Sequence, residues 1–106
     1  MTAANLKQQL SLETICEGDP TREVTSGYCG DLLSWVMGRA PADSAWVTIM
    51  GNINVIAVAS LADVACIILA EGASLDDDAK IRAEAEGMNV YSSKTDAFAI
   101  CRAIVL

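Results

Sequence analysis

The chain has 106 residues, 53% of them hydrophobic, which is enough for one domain with a real core and excludes a disordered segment. Lys and Arg number 7 against 14 Asp and Glu, a net charge of -7, so long-range electrostatics exclude DNA, RNA and anionic membrane as natural partners. There is no histidine, which rules out His-based general base catalysis and His-containing zinc sites.

Asn5 to Leu10 reads as a short helix, with Leu6 and Leu10 at i, i+4. Asn5, Lys7, Gln8 and Gln9, interspersed with apolar residues, do not form a targeting segment. Thr14 to Cys16 reads as a short strand, Glu17-Gly18-Asp19-Pro20 as a turn, and Arg22 to Thr25 as a second strand ending at Gly27. Asp31 to Met37 predicts an amphipathic helix with Leu32, Leu33, Val36 and Met37 at helical spacing and Gly38 as its stop. Pro41 follows shortly after.

Ala45 to Met50 is a strand by its β-branched Val47, Thr48 and Ile49. Asn52 to Leu61 is a helix by length and alanine content. Ala65 to Ala70 is a continuous apolar run of the kind buried in a parallel sheet. Ser74 and Asp77 have the spacing of a capping box that opens a helix to Glu86, with Gly87 as the stop. Asn89 to Tyr91 is a short strand, and Ser93 with Asp96 repeats the box before a helix to about Val105.

From Arg22 onward, strand and helix alternate four times. That order predicts an α/β fold over residues 1–106, a single three-layer domain whose mostly parallel sheet carries helices on both faces. The apolar run from Ile53 to Ala70 is 18 residues long, but Asp63 inside it would be costly in a bilayer. A buried helix followed by a buried strand accounts for the run, so a cytoplasmic protein without membrane contact is expected.

The cysteines, Cys16, Cys29, Cys66 and Cys101, contain no C-x-x-C pair and are expected to be reduced thiols. Cys29 falls on a loop before a helix, while Cys66 and Cys101 read as small core residues. Their spacing matches no iron–sulfur ligand pattern. Asp76-Asp77-Asp78 complements a helix dipole rather than holding magnesium. No cofactor and no metal are expected.

Open parallel sheets bind ligands at the carboxyl ends of their strands. Four loops qualify: Gly27 to Asp31, Met50 to Asn52, Glu71 to Ser74, and Ser92 to Thr95. Candidate ligand-binding residues on them are Gly27, Tyr28, Asp31, Gly51, Asn52, Gly72, Ser92, Ser93 and Thr95. The same residue types also serve as ordinary turn chemistry, and neither a P-loop nor G-x-G-x-x-G is present. A small nucleotide could still meet the N–H groups of a helix N-terminus.

The Asn52–Leu61 helix is apolar on every side, and one sheet face covers one side of it. Either neighbouring helices, a folded-back Leu6–Ile15 segment or a second subunit must cover the rest. For a homodimer the candidate interface residues are Trp35, Ile53, Ile56 and Ala57.

Val24-Thr25-Ser26-Gly27-Tyr28-Cys29-Gly30-Asp31-Leu32-Leu33-Ser34 resembles the V-T-G-G-Y-x-x-D-L-L-S opening of stand-alone DRTGG domains. Trp46-Val47-Thr48, Asn54 to Ser60 and Ala65 to Gly72 continue the likeness, which runs from about Leu6 to Ala103. The family is similar to the N-terminal domain of HPr kinase/phosphorylase and also occurs beside CBS domains in regulated pyrophosphatases. The resemblance implies an α/β domain with a regulatory or scaffolding role, a protein partner, and nucleotide sensing as the alternative.

The namesake letters are altered. Ser60-Leu61 stands about where Asp-Arg falls, and Ala70-Glu71 replaces Thr-Gly, with Gly72 kept as the final glycine. A carboxylate at Glu71 would repel phosphate, so Glu71→Thr is expected to help anion binding. No nucleophile–base pair emerges, so the expectation is a non-catalytic regulatory domain acting as a homodimer with a protein partner; the alternative is a nucleotide or anion sensor at the strand-to-helix loops.

Overall fold

Thr2 caps the first helix, its hydroxyl accepting the Asn5 N–H at 3.1 Å, and α1 runs Ala3–Gln9 in a computed structural model that describes residues 1–106. The chain continues through β1 (Glu13–Cys16), β2 (Ser26–Cys29), α2 (Leu33–Arg39), β3 (Ser44–Thr48) and α3 (Ile53–Ala62). It closes with β4 (Cys66–Leu69), α4 (Asp77–Ala85), β5 (Val90–Ser92) and α5 (Ala97–Ala103). The strands form one five-stranded sheet in the order β1-β5-β4-β3-β2. All neighbours are parallel except β1, which pairs antiparallel with β5.

The fully buried central strands explain their apolar runs. Every residue of β3 and β4 is buried, because helices cover both faces. Val36 of α2, Val55, Ile56, Val58 and Ala59 of α3, and Ala79 and Ala83 of α4 pack with Trp46, Ile67 and Leu69 on one face. Ala3 and Leu6 of α1 and Ile100 of α5 pack with Val47, Cys66, Ile68 and Tyr91 on the other. The α/β three-layer expectation therefore holds. No helix is long and apolar enough to cross a membrane.

Several boundaries differ from the sequence reading, each for a physical reason. The second strand is Ser26–Cys29, not Arg22–Thr25. Residues 17–25 instead form a strap that runs from one sheet edge to the other, since β1 and β2 lie at opposite edges. Long-range bonds hold the strap along its length. Asn89 grips Gly18 and Asp19, and Arg22 reaches Asp43 and Asp63 at 2.9 and 3.0 Å. Burial disfavours the Arg22 charge, but hydrogen bonds with Asp43 and then Asp63 outweigh it and raise its pKa.

Helix α2 passes through Gly38 and stops at Ala40, immediately before Pro41. Neither Ser74 nor Ser93 caps a helix. The caps are Asp76 and Asp96, and the Asp96 carboxylate accepts the Ala99 N–H at 2.9 Å. Gly87 does end α4, with φ at 63°, where a side chain would be strained.

Helix α3 is apolar all round because α2 and α4 flank it while the sheet lies beneath. Ile56, read as an interface residue, is 0% exposed within the single chain, which removes it from any interface. The Leu6–Ile15 segment does not cover α3 either: Leu6 and Leu12 belong to the opposite face.

Candidate functional site

The connections from β2, β3 and β4 all pass over the face that carries α2, α3 and α4. The connection from β5 leads to α5, on the other face. The carboxyl ends of β4 and β5 therefore send their chains to opposite sides, and a crevice opens between them. Such topological switch points are where open parallel sheets bind ligands.

The crevice encloses about 320 Å³ and is lined by Ser11, Glu13, Gly72, Ala73, Ser92, Ser93 and Lys94. Two loops are stitched together behind it. Glu71 N–H donates to the Thr95 carbonyl and Gly72 N–H to the Ser93 carbonyl, each at 2.9 Å, while Ala73 N–H donates to Ala70 at 3.0 Å. These N–H groups are thus spent inside the protein, and the turn offers no backbone cradle for phosphate.

Recognition falls to side chains. Ser93 Oγ accepts the Thr95 N–H at 3.1 Å and keeps its own proton to donate. Lys94 is exposed and makes no ion pair. Glu13 lines the crevice and exposed Glu71 stands in the turn beside it, so the site carries both signs of charge. Ser11, Glu71 and Gly72 all have left-handed backbone, with φ of 53°, 60° and 72°. The conformation suits Gly72 and is strained for Glu71.

Of the residues singled out in the sequence, Gly72, Ser92 and Ser93 come together here. Thr95 lies just outside, contributing backbone. The others are elsewhere. Asp31 Oδ1 accepts the Thr48 hydroxyl at 2.7 Å and the Ile49 N–H at 3.0 Å, which clips the loop after β2 to the end of β3. Asn52 caps α3, accepting the Asn54 N–H at 3.0 Å. Gly51 is wedged against the backbone of Ser74. These three perform turn and capping work.

Gly27 and Tyr28 line a separate groove at the β2 edge. Gly27 and Cys29 are exposed there, while Tyr28 packs against the core of the α2–α4 face. Cys29 therefore belongs to a strand, not to a loop.

Ser11 and Glu13 carried no signal in the sequence. They reach the crevice through the antiparallel pairing of β1 with β5, which sets Glu13 opposite Ser92. At the opposite end of the strands, a cavity of about 280 Å³ is lined by Asp19, Arg22, Asp63 and Asn89 among others. Its polar groups already bind one another and hold the strap in place. Asp77 and Asp78 lie in the first turn of α4, and no three metal-ligating side chains converge anywhere in the chain.

No protein-family model and no curated protein matches the chain. A solved structure is similar to it: the crystal structure of the CBS and DRTGG domains of the regulatory region of Clostridium perfringens pyrophosphatase, complexed with its activator diadenosine tetraphosphate. The two share 13% identity with a TM-score of 0.74 over 96% of this chain, which spans 45% of that one. At this identity the likeness shows the fold, which is DRTGG-like.

Proposed function

We propose that the chain is a non-catalytic regulatory domain that senses a small polar ligand in the β4–β5 crevice. The observation that carries this reading is the switch point itself, with serine hydroxyls and an unpaired lysine converging on it. Ser92 and Ser93 suit ribose or phosphate oxygens, and Lys94 supplies the cation. The volume of about 320 Å³ admits a ligand near the lower end of the ordinary range. Glu13 and Glu71 oppose a bare polyphosphate, which favours a nucleotide with few phosphates or with a bound divalent cation. The complex of the similar structure with diadenosine tetraphosphate supports a nucleotide as the class, and its place in a regulatory region supports the role. Membership of the stand-alone DRTGG domains and a cytoplasmic location belong to the same proposal.

A thermal-shift series tests it. Adenine mono-, di- and triphosphates, diadenosine tetraphosphate and inorganic phosphate are added at about millimolar concentration, with and without magnesium. A ligand that binds the folded state alone raises the melting temperature by mass action. No shift with any of them would sink the sensing role.

A second role, a homodimer that meets a protein partner, is supported by exposed apolar side chains on the helices. Trp35 on α2 is 51% exposed, and Leu61 on α3 is 72% exposed. Ile53 is 38% exposed and Ala57 half-buried, so both remain candidates. Light scattering after gel filtration tests the dimer against the chain mass of 11.2 kDa.

A further inference from the structure

We propose that Cys29 and Cys101 form a modification site, a dithiol that closes to a disulfide by exchange with small-molecule disulfides such as oxidised glutathione. Cys29 ends β2, an edge strand, and is exposed; Cys101 lies in α5 and is half-buried. Both line the groove of about 470 Å³ between β2 and α5, together with Gly27, Ala45, Val47 and Ile104. The two cysteines sit on opposite walls of this one groove, where α5 packs against β2, and Cys29 is near enough to act on the Cys101 thiol. Gly27 presents no side chain on that stretch of β2, so a small disulfide can approach. Cys16 and Cys66 are buried, which withholds them from the same reagent.

The geometry sets the order of events. Burial pushes the Cys101 thiol up to about 11, and the neighbouring Cys29 adds to the rise, so Cys101 stays protonated at neutral pH. Exposed Cys29 is the sulfur that meets the reagent. Its thiolate, having lost a proton to water, attacks one sulfur of oxidised glutathione. The glutathione S–S bond breaks, a Cys29–glutathione mixed disulfide forms, and one glutathione thiolate leaves and takes up a proton. Cys101 then gives up its proton and its sulfur attacks the Cys29 sulfur, expelling the second glutathione. The balance is two protein thiols oxidised to one disulfide and one glutathione disulfide reduced to two thiols. The product links the edge strand to the C-terminal helix and closes a loop of about 70 residues.

The test is a non-reducing peptide map of the full chain after incubation with oxidised glutathione and removal of the reagent. The expected result is a Cys29–Cys101 linked peptide that dithiothreitol releases, with Cys16 and Cys66 still free. Two variants give the order: Cys101→Ser should retain one glutathione on Cys29, and Cys29→Ser should slow all modification by about tenfold or more. Stable glutathione on Cys29 of the unmodified chain beside a free Cys101, a link to Cys16 or Cys66, or no reaction at all would each overturn the proposal. The map of the unmodified chain decides the matter even if a variant fails to fold.

Discussion

Asn89, 3% exposed at the foot of β5, accepts the Gly18 N–H on Oδ1 at 2.8 Å and so fixes the start of the strap from the far side of the chain. Its Nδ2 donates to the Asp19 carbonyl at 2.8 Å and to the Ala65 carbonyl at 3.3 Å. Asn89→Ala leaves one backbone N–H and two carbonyls without this partner in a part-buried site beside the strap cavity. The expected cost is about 2–4 kcal/mol. Urea unfolding of the variant measures it, and a loss below about 1 kcal/mol would show that water replaces the side chain.

Gly51 gives a steric prediction. A Cβ built there would lie 1.9 Å from the Ser74 carbonyl oxygen and 3.2 Å from the Leu75 Cα, both backbone atoms that cannot swing away. The Gly51 carbonyl also accepts the Asp76 N–H at 2.8 Å, so the two loops are clamped together. Gly51→Ala should cost about 2–4 kcal/mol, seen as a lower thermal midpoint. The ligand shift of any remaining folded protein should be unchanged, because Gly51 lies outside the β4–β5 crevice.

Alkaline pH should unfold the protein through two buried groups. Burial, with a minor contribution from its neighbours, pushes Tyr91 up to about 12, and burial does the same to Cys66. Both folded values lie above those of the unfolded chain, about 8.5 for cysteine and 10 for tyrosine. The folded state therefore holds these protons more tightly. The stability this gives is complete below the unfolded values and is lost as pH climbs through the folded ones. Denaturation followed by circular dichroism between about pH 9 and 12 should show falling midpoints, with Cys66→Ala delaying the onset. A flat profile across that window would contradict the assignment.

Glu71 separates charge from backbone strain. The substitution Glu71→Thr suggested by charge alone is now disfavoured, because a β-branched residue at φ 60° is a steric outlier. Glu71→Asn removes the same charge and tolerates the left-handed conformation. It should raise stability by about 0.5 kcal/mol and tighten binding of an anionic ligand by roughly threefold. Lys94→Glu should weaken that binding by about tenfold while leaving the melting temperature of the free protein nearly unchanged. Calorimetric titration with the nucleotide that gives the largest thermal shift checks both.

The parts of the fold written in local signals were legible in the sequence. Val47 and Thr48 declared a strand by their β-branching, which stops short of the exposed Ile49, Cys66 to Leu69 declared a buried strand by composition, and Gly87 marked a helix end because its φ admits little else. The strap was misread as a strand because its apolar Val24 and β-branched Thr25 fit one, whereas its conformation is set by Asn89, Asp43 and Asp63, all at least 18 residues away. The crevice was half legible. Gly72, Ser92 and Ser93 follow from the strand-to-helix order, which local periodicity supplies. Ser11 and Glu13 reach it by pairing across the length of the chain, and Cys29 and Cys101 come to share one groove by the packing of α5 against the distant β2. Neither leaves a trace in spacing or composition.

The antiparallel seam between β1 and β5 joins the first strand to the last, with Glu13 opposite Ser92. Each of β2, β3 and β4 pairs with the strand that follows it in sequence, so that part of the sheet can grow as the polypeptide leaves the ribosome. The first strand cannot join it then, because its partner β5 emerges after the other three. Until that moment the N-terminal segment waits as an unpaired edge, and it is the piece whose docking completes the crevice.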